Sequence, residues 1–520
     1  MNQKKGSVGT FLILSGQYVK GDLAQIFGRI PPSMLPAGGR KLYEHQIESS
    51  PRDFRKIITV PADYKLSARD KSYFKSNEVS VIHTPPSTLE ASLLKLLTIY
   101  LKDVIHSPLE ILYGDTLLPK LDTDSVAVIN APSFYEWGRL ESLGEQCEIK
   151  VFAGRLRIEN PSVLVNKLST GIDLTRTLDE LIIEKHLHDF FSINWLDFGN
   201  MKTYIDSRKS FFETRSFNCI EIEGNKITKS SDSNPLKIQR ESEWLQNVPM
   251  SLRCYFPSLL AVSNTSYTIP FIPEPSLHEI FVFGQLSVQH WTQIFKAVSE
   301  YFSDCIKAVP NNMDQTKLIF QSESLLFEKT LIRLESYPKY LIGDEHNFGM
   351  CQIDSLKNII REFRSDYSPD PITCFQHGDA VISNIFWDYR IGSIKLIDPR
   401  AMNNEGELHV FGDLRYDLAK LFQSIFLGYS LVLADSFNYE ESIIKCVEGH
   451  FNGLETYRKV IEEFDKTLCA PYGVDILEIA QMALILMIGL IPLHSDRPDR
   501  QRKFIEIVKS ESLWKEHVRQ

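Results

Sequence analysis

The sequence has no CxxC pair and no cysteines at metal-ligand spacing. Its eight cysteines (147, 219, 254, 305, 351, 374, 446 and 469) stand singly. That excludes a disulfide scaffold and a structural zinc module, and points to reduced thiols. An excess of positive charge is also missing: 57 Lys and Arg against 67 Asp and Glu leave −10. A general nucleic-acid binder is therefore not expected, although local basic pockets for phosphates are. Long apolar runs are absent too. Lys4 and Lys5 precede Thr10–Leu14, which is far too short for a signal h-region. The longest run, Ile479–Leu493, holds Gln481 and Pro492 and suits a buried core helix better than a membrane span. Neither an internal repeat nor a low-complexity tract is found. The expectation is a cytoplasmic protein without membrane insertion.

What is present is ample core. The chain has 520 residues, 43% hydrophobic and 24% charged, enough for two or three domains. Residues 1–205 alternate β-rich and helical runs, with candidate strands Thr10–Leu14, Lys56–Val60, Val79–His83, Leu109–Tyr113 and Val126–Asn130. A leucine-rich helix is expected over Thr88–Val104. Such alternation predicts an α/β domain built on a mostly parallel sheet, whose ligands bind beyond the carboxyl ends of the strands. Residues 206–520 form the second expected domain, with the junction within Asp206–Arg215. It opens with Cys219–Glu223 and Lys226–Ser230 around Gly224-Asn225, a hairpin signal, followed by a helix over Leu236–Gln246. After residue 410 the pattern is helical.

One constellation carries chemistry. His377-Gly378-Asp379 is followed by Asn384, and then by two short strand-like runs that end at Ile397-Asp398. Phosphoryl transfer from ATP needs a carboxylate to orient and deprotonate a hydroxyl, and oxygen ligands for Mg2+. Asp379 is the candidate base, and Asn384 and Asp398 are the candidate metal ligands. This pattern, together with Gly412-Asp413-Leu414-Arg415-Tyr416-Asp417-Leu418-Ala419-Lys420, resembles the aminoglycoside phosphotransferase and choline kinase-like family. The resemblance implies an α+β, protein-kinase-like domain with a largely helical C-lobe. It implies that Asp417 buttresses the catalytic loop, that Lys229 grips the ATP phosphates, and that Glu241 holds Lys229 by an ion pair. Lys226 and Glu243 are the rivals. The loop Thr214–Asn218, with Asn218 at its end, would lie over the phosphates although it has no glycine.

In the first domain, Pro31 to Leu42 (Pro-Pro-Ser-Met-Leu-Pro-Ala-Gly-Gly-Arg-Lys-Leu) resembles the PKPLLPVGGKPL stretch of sugar-phosphate nucleotidyltransferases. Ser15-Gly16, after the first strand, stands where that family begins its nucleotide loop. Gly114-Asp115 and Trp195-Leu196-Asp197-Phe198-Gly199 resemble its metal-binding GD and W-x-D-x-G segments. The resemblance implies that Asp115 and Asp197 share a metal ion. The family's G-x-G-x-R loop is absent, Pro32 replaces its catalytic lysine, and no E-K-P motif precedes residue 155. Arg29, Arg40 or Lys41 would have to supply the missing charge.

Together the resemblances imply a bifunctional transferase of surface-glycan (capsular polysaccharide) synthesis. One domain would phosphorylate a sugar, polyol or amino alcohol with ATP. The other would pass a nucleotidyl group from CTP or another nucleoside triphosphate onto the phosphate. A kinase whose first domain is degenerate and serves binding or regulation is the alternative. A homo-oligomer is compatible with either.

Overall fold

The computed structural model describes residues 9–102, 104–130, 138–143, 149–192, 194–211, 219–337, 344–437, 441–510 and 516, with backbone alone at 344–351. Asn218 and the loop before it lie outside these residues. The chain separates into two compact units, Met1–Phe211 and Phe212–Gln520. A division after residue 205 would cut the helix Met201–Arg208, which belongs whole to the first unit.

The first unit is built on a seven-stranded sheet: β1 (Thr10–Leu14), β2 (Arg55–Pro61), β3 (Val79–Thr84), β4 (Leu109–Tyr113), β5 (Ser125–Asn130), β6 (Lys150–Ile158) and β7 (His188–Phe191), in the order β7-β5-β6-β4-β1-β2-β3. β1 runs parallel to β2 and β4, β2 to β3, and β5 to β7. β6 is antiparallel to both its neighbours, so the sheet is mixed. The central strands read as near-continuous apolar runs because both faces are covered; Leu12, Ile57, Ile111, Val126 and Leu156 share one core cluster. The expected helix over Thr88–Val104 is shorter: Leu89–Lys95 widens into a π turn over Leu96–Tyr100. A fully buried ion pair ties β4 to β6, with Arg155 Nη2 2.6 Å from Glu110 Oε1. Such a pair is costly to break on one side only.

The second unit begins with a four-stranded antiparallel sheet in which the hairpin Cys219–Glu223/Lys226–Ser230 pairs onward with Ser266–Pro270 and Ala261–Val262. Gly224 turns the hairpin at φ +59°, a conformation that favours glycine. The helix Pro235–Gln246 covers the sheet, with Ile238 packed on Tyr267 and Ile269. The remainder is largely helical and contains two further strand pairs, Thr373–Phe375 with Phe411–Asp413 and Ile385–Asp388 with Ser393–Leu396. The apolar helix Ile476–Ile488 is buried almost throughout and packs on Leu414–Ile425. Among the described residues, no single helix is long and apolar enough to cross a membrane.

Candidate functional site

The second unit gathers its candidate residues from four segments. Lys229 sits on the second hairpin strand opposite Tyr267, and its side chain is almost fully buried. Its Nζ donates to Glu241 Oε2 at 2.7 Å and to Asp398 Oδ1 at 2.9 Å. The Tyr267 hydroxyl donates to the same Glu241 oxygen at 3.0 Å. Burial opposes the Lys229 charge, but Asp398 and Glu241 outweigh it and hold the ammonium above its ordinary value. The rivals stand elsewhere: Lys226 is exposed, and Glu243 pairs with Arg240 at 2.5 Å.

The loop bearing Asp379 is held from beneath. Asp417 Oδ2 accepts from the backbone N–H groups of His377 (3.0 Å) and Gly378 (3.2 Å). Gly378 has φ +74°, and a Cβ there would lie 2.8 Å from Arg400 Cβ, so the loop tolerates no side chain. His377 is fully buried, and that burial holds its imidazole below its ordinary value. Its Nε2 lies 3.0 Å from the Ile397 carbonyl and its Nδ1 accepts from the Asp379 N–H at 3.3 Å, which places the ring proton on Nε2. One ring thus couples the Asp379 loop to the strand that delivers Asp398. Burial pushes the Asp417 carboxyl up to about 7, and its Oδ1 is buried without a hydrogen-bond partner.

Asp379 itself is 41% exposed, open to a substrate, with Lys420 Nζ 3.2 Å from its Oδ1. Burial alone would raise this carboxyl; Lys420, with Arg400 adding to it, holds it below its ordinary value. Asn384 Nδ2 donates to the Asp379 carbonyl at 3.0 Å, leaving its Oδ1 only a long contact of 3.4 Å from Ser383 Oγ. Asp398 stands at φ +57°, an unusual backbone state for a side chain other than glycine. The oxygens of Asn384 and Asp398 are of the kind magnesium takes. Lys420 carries no motif of its own. The signal that could have found it is its place one helical turn beyond Asp417, on the same face.

In the first unit, Asp115 and Asp197 converge. Both carboxylates reach the space that a Cβ on Gly199 would fill, Asp115 Oδ2 at 3.0 Å and Asp197 Oδ1 at 3.1 Å from that point. The antiparallel pairing of Thr116–Leu117 with Leu196–Asp197 and the bond from Phe198 N–H to the Asp115 carbonyl (2.8 Å) bring them together. Burial, then the Asp115 charge, push Asp197 up to about 6, and burial raises Asp115 as well. Asp197 Oδ2 is buried with no hydrogen-bond partner. Two crowded carboxylates with an orphaned oxygen fit a divalent cation. Among the described residues no third His, Cys, Asp or Glu joins them, so water or a phosphate would complete the shell.

The other candidate residues of this unit have partners of their own. Ser15 does lie beside Gly114 at the carboxyl ends of β1 and β4, but its N–H donates to Thr59 Oγ1 at 2.8 Å and is not free for a phosphate. Its hydroxyl accepts from Ser33 N–H and Ser33 Oγ. At Gly16 a Cβ would meet Thr84 Oγ1 at 2.3 Å, which explains the glycine by packing. The three cations are committed elsewhere: Arg29 to Asp63 at 2.8 Å, Arg40 to Glu44 and Glu48, and Lys41 to the buried Asp70 at 2.6 Å. None of them figures among the charges acting on Asp115 or Asp197.

No family model and no curated protein matches the chain. Among solved structures it is similar to the ethanolamine kinase of Plasmodium vivax, at 15% identity over 67% of this chain and 97% of that one, with TM-score 0.35. It is similar to the GDP complex of wild-type aminoglycoside 2'-phosphotransferase-IIIa, at 11% identity over 58% and 91%, with TM-score 0.36. It is also similar to a putative glucose-1-phosphate thymidylyltransferase from Bacillus anthracis, at 11% identity over 39% and 94%, with TM-score 0.31. Likenesses this weak carry no functional argument, and the roles of the site are assigned from its own residues.

Proposed function

We propose that the second unit transfers the γ-phosphoryl group of ATP to a hydroxyl of a small molecule. The observation that carries the reading is Lys229, a buried hairpin lysine bonded at once to Glu241 and, from 169 positions away in sequence, to Asp398. Lys229 grips the nucleotide phosphates; Asp398 and Asn384 would hold Mg2+, which when bound would neutralise charge on the phosphates. Asp379 orients the acceptor hydroxyl and takes its proton. The hydroxyl oxygen forms the new bond to phosphorus while the bond to the β–γ bridging oxygen breaks, and ADP leaves. Lys420 keeps Asp379 ionised and Asp417 keeps its loop in place. Titrating ATP into the full chain with and without magnesium tests this: binding should require the metal, and Asp398→Ala should abolish the requirement together with tight binding. Equal binding by Asp398→Ala would overturn the assignment.

For the first unit we infer nucleotide and metal binding at Asp115 and Asp197 without nucleotidyl transfer. The commitment of Arg29, Arg40 and Lys41 to other carboxylates favours this, because charge developing on a leaving pyrophosphate needs a nearby cation. The bifunctional reading, in which this unit converts the kinase product to a nucleotide-linked sugar or polyol for a surface glycan, is favoured by the convergence of the two carboxylates. Pyrophosphate release from CTP, UTP, GTP or dTTP, supplied with magnesium and the kinase product, separates the two: release abolished by Asp115→Ala would establish transfer.

A further inference from the structure

Around Asp379 the charges do not balance. Lys329 and Arg333 lie one turn apart on the same face of the helix Lys329–Ser336, Arg400 follows two residues after Asp398, and Lys420 stands on the helix Leu414–Ile425. All four are half-buried. Arg400 packs against Gly378, the residue before Asp379, where an added Cβ would lie 2.8 Å from its Cβ, and Lys420 reaches Asp379 itself; the charges of Arg400, Arg333, Lys420 and Asp379 act on Lys329, and those of Arg400 and Asp379 on Arg333. Among the described residues, Lys420 alone of the four meets a carboxylate, Asp379, at 3.2 Å. Arg333 donates to the Gly489 carbonyl at 3.2 Å. Arg400 donates to the Tyr416 hydroxyl at 2.8 Å and to the Met402 carbonyl at 3.3 Å. For Lys329, Arg333 and Arg400 no carboxylate lies at ion-pair distance among the described residues.

Neutral partners orient these groups without cancelling their charge. Gathering like charges out of water is unfavourable unless a counter-charge arrives. Burial and then the three neighbouring cations push Lys329 down to about 5, so an anion arriving beside it would restore its charge. The nucleotide phosphates have their own anchor in Lys229, held by Glu241 and Asp398 on the hairpin side of the site. A cationic acceptor would meet Arg333 and Arg400, and among the described residues no carboxylate is paired with either of them.

Resting on the phosphotransfer reading, we propose that the acceptor hydroxyl belongs to a small anion, with a carboxylate or phosphate group held by Lys329, Arg333 and Arg400. The guanidinium groups match either oxyanion with paired N–H donors. This narrows the acceptor to a sugar acid, polyol acid or sugar or polyol phosphate, and excludes simple amino alcohols.

The test is calorimetric titration of the full chain, saturated with MgADP, with glycerate, glycerol 3-phosphate, ethanolamine and choline. Glycerate or glycerol 3-phosphate should bind, and the stronger of the two tells carboxylate from phosphate. Arg333→Gln should weaken that binding about 10-fold or more, the scale of one charge-assisted hydrogen bond, while Arg333→Lys recovers part of it. Should Arg333→Gln fold poorly, Lys329→Met tests the same charge. Binding of ethanolamine or choline in place of the anions, no binding of any of the four, or anion binding unchanged in both variants would overturn the proposal. So would a loss confined to MgADP affinity, which would assign the cations to the nucleotide. Failure of MgADP itself to bind the wild-type chain would instead contradict the phosphotransfer reading.

Discussion

Each unit holds a pair of candidate metal-binding side chains, and the two pairs differ in their company. In the second unit Asp398 touches Lys229 and Asp379 touches Lys420, so both acids of the site meet a cation within 3.2 Å. In the first unit Asp115 and Asp197 meet mainly each other, while the nearby-in-sequence cations bind Asp63, Glu44, Glu48 and Asp70. The lesson is that converging carboxylates mark a place for a cation, whereas group transfer also needs positive charge left free for the moving phosphate.

That contrast can be broken most sharply with lysines. Lys229→Met should lower phosphoryl transfer by about 100-fold or more, since it removes the phosphate grip. Lys41→Met should leave transfer unchanged and destabilise the first unit, because it strands the buried Asp70. Loss of a pyrophosphate-releasing activity in Lys41→Met at unchanged stability would make the two units alike. Kinetics and denaturant melts of both variants decide this.

Next in size is a purely structural ion pair. Arg155→Met should cost the first unit about 3–5 kcal/mol by leaving Glu110 buried and unpaired. The midpoint of first-unit unfolding measures it, and phosphoryl transfer by the still-folded protein should not change.

Asp417 sharpens the comparison from the other side. Asp417→Ala orphans the N–H groups of His377 and Gly378 and should cost the second unit about 2–4 kcal/mol. Since the folded carboxyl sits at about 7, above its ordinary 3.8, ionisation of Asp417 opposes folding. Its contribution is therefore most favourable at low pH and is lost as pH rises toward about 7. Asp417→Asn should flatten that slope in melts recorded between about pH 4 and 7.

The smallest effect expected is metal stabilisation of the first unit. Manganese or magnesium should raise its melting temperature by a few degrees, as about 1–2 kcal/mol of binding would. Asp197→Asn should remove the rise. A rise of equal size in the variant would place the metal elsewhere.

Much of this architecture is legible in the sequence where the determinants are local. The hairpin at Gly224-Asn225 falls on the strands that its turn residues and alternation mark, because a two-residue loop fixes register. The proximity of Asp379 and Asn384, five residues apart on one loop, needs no long-range information. Strands β6 and β7 escape such reasoning. β6 is antiparallel and carries a buried arginine, whose role depends on Glu110 across the sheet, and β7 is largely exposed at the edge. The ion pairs of Arg29, Arg40 and Lys41 are equally hidden, since only the fold shows which acid a cation meets. The helix Lys329–Ser336 carries no motif, and its two cations matter only because Arg400 and Lys420 arrive beside them.

The most direct measurement is transfer of labelled γ-phosphate from ATP to an acceptor by the wild-type chain and by Asp379→Asn. Asparagine keeps the shape of the side chain and removes the base. Transfer by the variant should fall by about 10²–10⁴-fold with magnesium-dependent ATP binding retained. Turnover within a few-fold of wild type would contradict the assignment of Asp379, and with it the account of the second unit as a phosphotransferase working through that carboxylate.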